Sequence, residues 1–287
     1  MEILFIVLAN LLHSGEGVFI KKYNQKYSEG GFIFISVLSL CSMLFFLITD
    51  LISDKNGLEF TTPVLILGVF AGITYATASL ATFVAMGEGS YVLSRLVLSY
   101  GILITVAHGI VLGETLSAFG IIGLVLILLS LYFFKNEKNG ENVKITKKWV
   151  IFIALSVIMA GAFGVLQRQQ QIEYARQYNN EFMIIALFVS AVALFIMGIV
   201  MSGKRAKYVL KTGVPYAAGA GVFNGATNLV SLYVYSIAPL SIIGPTSAGV
   251  SIIISFLISK LIFKERFSKC QLLGVVLGTA ALILFNI

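Results

Sequence analysis

Charge is scarce in this chain, and the scarcity decides its solvent. Asp, Glu, Lys and Arg make up only 11% of the 287 residues, where a water-soluble domain carries about a quarter. Hydrophobic residues reach 58%, with a mean hydropathy of +0.96, which excludes an ordinary soluble domain. Cysteine is nearly absent: Cys41 and Cys270 lie within or beside apolar stretches, too few and too isolated for a disulfide framework or a metal site. Enzyme signatures are missing as well. There is no H-E-x-x-H, no phosphate-binding glycine loop, no G-x-S-x-G elbow and no aspartate-rich pair in a loop between apolar runs. The net charge of +7 does not point to nucleic acid, because the basic residues sit in short segments between apolar runs, as orientation signals beside lipid headgroups do.

What is present is a series of apolar runs of about 18 to 25 residues, each long enough to span about 30 Å of hydrocarbon. The pattern predicts an all-α membrane protein with ten transmembrane helices, near 2–20, 30–51, 63–86, 89–112, 116–134, 148–168, 181–202, 213–236, 239–263 and 267–286. The first is read as a retained helix rather than a cleaved signal, since it lacks a basic flank and a small-residue cleavage site. Gly30-Gly31, Pro63, Gly87-Glu88-Gly89, Gly113-Glu114 and Pro239 mark boundaries, as helix breakers and turn formers should. A β-barrel would show alternating segments of about ten residues instead.

The polar stretch 135–147 divides the chain near its middle, giving a first five-helix unit at 1–134 and a second at 148–287. Shifting the first unit forward by 151 positions sets Gly113-Glu114 beside Lys264-Glu265, Gly123 beside Gly274 and Phe134 beside Phe285. An internal duplication is the economical reading. A unit of five spans ends on the side opposite its start, so the second copy enters the membrane upside down, and the expected architecture is two inverted five-helix repeats. Fifteen basic residues, from Lys21 to Lys269, fall in the connections after the first, fifth, seventh and ninth helices, against Lys55, Arg168 and Arg176 on the other face. The positive-inside rule then sets both termini outside.

Leu112-Gly113-Glu114 through Gly123, and Phe263-Lys264-Glu265 through Gly274, each place a short Glu-containing turn before a glycine-bearing last helix. With ten helices in two halves, these segments resemble the EamA-like branch of the drug/metabolite transporter superfamily. The resemblance implies a carrier for metabolites, amino acids or drugs, with a cavity between the halves.

A charge within hydrocarbon costs roughly 2.5 to 3.5 kcal/mol and asks for a partner or a water-filled cavity. Glu16 and Arg95 lie at similar depth, and an ion pair between them is expected, as a gate or as a site that a substrate carboxylate or ammonium group opens. His13, one turn before Glu16, is a candidate for coupling or gating, as is Pro245, which removes a backbone donor inside the ninth helix. Asn224, Thr227 and Asn228 share one face of the eighth helix, with Thr74 and Tyr75 at comparable depth on the third; Tyr75, Asn224, Asn228 and Thr246 are read as orienting a substrate. Trp149, the one tryptophan, reads as an interfacial anchor beside Lys147 and Lys148.

The expected function is secondary transport of a small polar or zwitterionic metabolite by alternating access, in the direction of export, from a multi-pass protein of a bacterial plasma membrane. Protons or a counter-substrate are the expected coupling partners, and monomer or homodimer the expected state. No bound cofactor is implied. A lipid or lipid-linked sugar flippase, a membrane enzyme and a non-transporting scaffold are the rival readings.

Overall fold

The computed structural model describes residues 2–27, 29–53, 57–89, 91–115, 117–135, 146–202, 205–264 and 268–284. Lys55, Lys138, Lys144, Lys204, Glu265 and Arg266, and most of the 135–147 stretch, lie outside them. Among the described residues there are helices and short turns and no strand. The helices are α1 (Glu2–Lys26), α2 (Gly31–Ile52), α3 (Thr62–Glu88), α4 (Tyr91–Leu98), α5 (Ile102–Val111), α6 (Ala118–Lys135), α7 (Lys147–Tyr174), α8 (Asn179–Ser202), α9 (Ala206–Ile237), α10 (Leu240–Ile258) and α11 (Lys269–Leu284). A 3-10 turn, Ser99–Gly101, joins α4 to α5, and a π-helical turn, Ser259–Phe263, extends α10. With α4 and α5 taken as one interrupted run, ten runs stand where ten were expected.

Three run further than the apolar pattern does. α1 continues through Lys21 to Lys26, α7 through the glutamine run to Tyr174, and α9 begins seven residues early, with Lys207 and Lys211 inside it. Hydropathy stops where hydrocarbon stops, whereas backbone hydrogen bonding continues into the headgroup region, and Lys and Gln are good helix formers there. By length and composition six helices qualify as spans: α1, α2, α3, α7, α8 and α10 with its extension. α9, at 32 residues, is ample in length, and its polar residues keep its hydropathy down.

The pairing of helices follows one rule. α2 runs antiparallel to α8: Ile33 lies against Gly198, Ser36 donates to the Ala191 carbonyl at 2.7 Å, and Asn180 donates to Asp50 at 2.9 Å. At the centre of that contact the hydroxyls of Ser39 and Ser190, 151 positions apart, meet at 2.9 Å. α1 packs on α9 as α7 packs on α3, and α2 on α9 as α8 on α3; α5 meets α10 and α6 meets α11. Gly113 and Lys264, again 151 apart, both take left-handed backbone, φ 86° and 54°, where α5 and the α10 extension end.

Two close approaches set these distances. Gly68 and Gly72, one turn apart on α3, face α8, and Gly221 and Gly225 on α9 face α2. Small residues four apart are how helices approach closely in lipid, where burial gives no hydrophobic gain between them. Large apolar side chains such as Leu51, Phe70, Ile121, Val200 and Leu261 point outward. That is the exterior expected of a chain whose solvent is lipid.

A Cβ at Gly72 would stand 2.6 Å from the Ala186 carbonyl oxygen, and one at Gly221 2.6 Å from that of Leu38, whereas one at Gly87 meets nothing nearer than 3.5 Å. Backbone cannot swing aside as a side chain can. Gly72→Ala and Gly221→Ala are therefore expected to cost about 1–3 kcal/mol each, with Gly87→Ala well below that. Thermal unfolding of the three purified variants checks this, and equal melting temperatures would refute the close-approach account.

Candidate functional site

Between the helices lie two adjoining cavities, of about 190 Å³ and 240 Å³. Six residues line both: Asn10, His13, Ala160, Gly164, Tyr235 and Ser247. The first cavity opens between α1, α5, α7 and α10 and holds the Arg95 side chain from α4. The second lies between α1, α3, α7 and α9 and holds Glu16, Tyr75, Asn224 and Asn228. Most of these residues sit near the middle of their helices, and α7 gives the cavities room by presenting Ala160, Gly161 and Gly164 rather than larger side chains.

The second cavity is walled by one hydrogen-bonded network. The Asn224 side-chain oxygen accepts from Ser42 at 2.9 Å, from the Tyr75 hydroxyl at 2.9 Å and from Asn228 at 3.0 Å. Its Nδ2 donates to Glu16 Oε2 at 3.1 Å. Asn228 in turn accepts from Gln167 Nε2 at 3.1 Å. The six side chains come from five helices, and the spacing of four brings Asn224 and Asn228 onto one face of α9.

Arg95 is 3% exposed. Its Nη1 donates to His13 Nε2 at 3.1 Å. A guanidinium has no lone pair to offer, so Nε2 is the acceptor and the ring proton lies on Nδ1. Arg95 Nε and Nη2 are buried and find no hydrogen-bond partner among the described residues. Orphaned donors of this kind cost about 1–3 kcal/mol each, which marks the residue as held for something other than packing.

Of the expected site residues, His13, Glu16, Tyr75, Arg95, Asn224 and Asn228 come together around the cavities. The expected Glu16–Arg95 ion pair does not form. Arg95 meets α1 one turn short of Glu16, at His13, and Glu16 is taken by Asn224 because α9 packs along that face of α1. Thr246 lines neither cavity; its hydroxyl is buried without a hydrogen-bond partner among the described residues, and its neighbour Ser247 occupies the cavity wall, accepting from Asn10 at 2.8 Å. Pro245 is buried within α10 and lines neither cavity. Thr74 turns back to bond carbonyls of its own helix. Trp149 is not an open interfacial anchor: it is 6% exposed, packs on Gly89 and donates to Ser94 at 3.2 Å, tying α7 to α4.

Asn10, Ser42 and Gln167 were not singled out from the sequence, whereas Ser247 belongs to the Gly244-Pro245-Thr246-Ser247 segment that the sequence marks as a hinge or part of the site. Asn10 stands one turn before His13, a spacing that signals a shared face. Gln167 was hidden because its helix was ended at the following residue.

Two contacts beside the cavities join the first and second halves of the chain. On one side Arg168 of α7 lies 3.5 Å from Glu114 and donates to the carbonyls of Tyr235 and Ala238, while Glu114 accepts the Leu240 N–H at 3.3 Å. On the other, Tyr91, one turn before Arg95 on α4, stacks on Phe263 with ring centres 4.9 Å apart and donates to the Ser14 carbonyl.

Helices long and apolar enough to cross a bilayer, packed around a polar interior, define an integral, multi-pass membrane protein. Its second half, residues 147–287, matches the model of the EamA-like transporter family, part of the drug/metabolite transporter superfamily, and belongs to that family. A solved crystal structure aligns with 97% of this chain and 98% of its own length, with a TM-score of 0.65 at 14% identity, a likeness of fold alone. No curated protein sequence matches.

Asn224→Ala is expected to strand the donors of Ser42, Tyr75 and Asn228 and to lower stability by about 1–3 kcal/mol for each donor that finds no new partner. Thr227→Val, which removes a hydroxyl bonded only to its own helix at Phe223, is expected to change it by less than about 0.5 kcal/mol. Denaturant or thermal unfolding in detergent distinguishes the two; matching curves would show that the network carries no stability.

Proposed function

We propose that the protein is a secondary carrier that moves a small polar or zwitterionic organic metabolite across the bilayer by alternating access, in the direction of export. Family membership supports a transporter of the drug/metabolite type rather than an enzyme. The observation that carries the finer reading is a pair of adjoining cavities at mid-helix depth, one lined by a guanidinium, Arg95, with two donors that have no partner among the described residues, the other by a carboxyl group, Glu16. Solid apolar packing would suit a scaffold, and a groove open to lipid would suit a flippase.

The two units, 1–134 and 148–287 joined by 135–147, are proposed to be inverted repeats. In support, counterpart helices pair reciprocally, and Ser39 and Ser190 touch each other, as positions on a two-fold axis do. Five spans per unit oblige the second to start on the opposite side, which lays that axis in the membrane plane. The two contacts between halves then have a role as closures: parting Glu114 from Arg168 opens one side, and parting Tyr91 from Phe263 opens the other. The fifteen-to-three bias of basic residues supports termini outside the cell and a bacterial plasma membrane as the setting. Glu16 is the residue proposed to couple transport to protons.

Purified protein in liposomes, challenged with labelled amino acids, amines, nucleosides and organic acids, is expected to move members of one class. A charge-assisted hydrogen bond of about 1.5–3 kcal/mol corresponds to about tenfold or more in affinity, so Arg95→Ala and Glu16→Gln are expected to cut that flux about tenfold or more. Flux unaffected by either change would remove both residues from the site.

A further inference from the structure

We propose that His13 and Arg95 act as one recognition unit beside the first cavity, in which His13 Nε2 holds Arg95 Nη1 and leaves the buried, unpartnered Nε–Nη2 edge of the guanidinium as a docking fork for a substrate carboxylate. The inference rests on the carrier reading and goes further, naming the charged group the substrate must bear and a residue that acts through another to bind it.

The geometry supports it in three ways. A guanidinium has two forks, and engagement of Nη1 by His13 at 3.1 Å leaves the side-on pair, Nε and Nη2, which are the two nitrogens without a partner among the described residues. Parallel N–H donors on one planar edge match the two oxygens of a planar carboxylate. The residue is held in place from behind: Ser99, one turn on, donates to the Arg95 carbonyl at 3.2 Å, and both side chains line the first cavity.

The charge around the fork selects against a dianion. Among the described residues lining the two cavities, Arg95 is the only lysine or arginine, and Glu16 shares the second cavity. Besides His13, the other polar neighbours in the first cavity are hydroxyls and an amide, from Asn10, Ser99, Thr105, Tyr235, Ser247 and Ser251. One positive charge balances one negative charge, and a second, buried without a partner, is strongly unfavourable. A monoanionic carboxylate therefore fits where a phosphate monoester does not.

His13 is a positioning residue in this account. Its task is to accept a hydrogen bond, so a side chain that retains an acceptor at similar reach should serve and an apolar one of similar size should not.

The test uses full-length protein in nanodiscs with 15N-labelled arginine, and acetate, acetamide and inorganic phosphate as probes at constant ionic strength. The Arg95 Nε–H resonance is assigned by its loss in Arg95→Lys, which keeps the charge and removes the fork. Acetate is expected to shift that resonance saturably, while acetamide and phosphate at equal concentration do not. His13→Gln is expected to retain the acetate response within about threefold, and His13→Leu to weaken it tenfold or more. A wild-type protein with no saturable acetate response, a response to acetamide or phosphate as strong as that to acetate, or a His13→Leu variant that binds acetate like the wild type would each overturn the proposal. Binding is read without transport, so protein that binds acetate at Arg95 and moves no solute in liposomes would leave this inference standing and remove the carrier reading.

Discussion

Within the hydrocarbon thickness no water is on hand to satisfy an amide or a carboxyl, so polar side chains survive there only inside a network of partners or beside a wet cavity. The Asn224 carboxamide meets that requirement for much of the bundle. Through it α9 is bonded to Glu16 on α1, Ser42 on α2 and Tyr75 on α3, and through Asn228 to Gln167 on α7. A group bonded on all sides has little left to offer a ligand. The cavity is thus asymmetric: one wall is a saturated network that fixes five helices, and the other carries Arg95, whose remaining donors stay unengaged.

The same asymmetry runs through the proposed repeat. At the 151 spacing Glu16 corresponds to Gln167, and both side chains reach amides on α9. His13 corresponds to Gly164, and both line the shared part of the cavities. Lys21 from α1 donates to the carbonyls of Met86 and Gly89 at the end of α3, as Arg168 from α7 does to those of Tyr235 and Ala238 at the end of α9. Backbone placement is repeated while the chemistry is not. Arg95 has Thr246 as its counterpart, a hydroxyl turned away from the cavity. A scaffold that is alike in its two halves and a lining that differs between them is how one asymmetric solute can be held in one orientation.

Helix number and position were legible because hydrocarbon imposes a length on every apolar run, and turn formers such as Gly30, Pro63 and Pro239 stand at the breaks. Helix ends were less so: Lys21, Gln170 and Lys211 look like loop residues by hydropathy and are helical because the backbone ladder outlasts the apolar stretch. Depth could be read for Glu16 and Arg95, which is why both were placed in the site. Their partners could not, since a choice between His13 and Glu16 turns on one helical turn of offset between α1 and α4. Thr246 against Ser247 is the same problem on α10, where neighbouring residues differ by about 100° around the axis and only packing says which one faces inward.

The two contacts proposed as closures differ in kind. In a largely buried ion pair such as Glu114–Arg168 the Coulombic gain is set against desolvation of both charges, whereas a stacked aromatic pair such as Tyr91–Phe263 contributes about 0.5–1.5 kcal/mol. A carrier must populate both outward-open and inward-open forms, and a shift of about 5.5 kcal/mol already carries the distribution from 1:99 to 99:1. In the proposed alternation, a net difference of a few kcal/mol between the two contacts leaves both forms within reach of the energy that a bound substrate supplies. The strong interactions are kept where they do not have to break: in the Asn224 network and in the close glycine contacts between α3 and α8 and between α2 and α9.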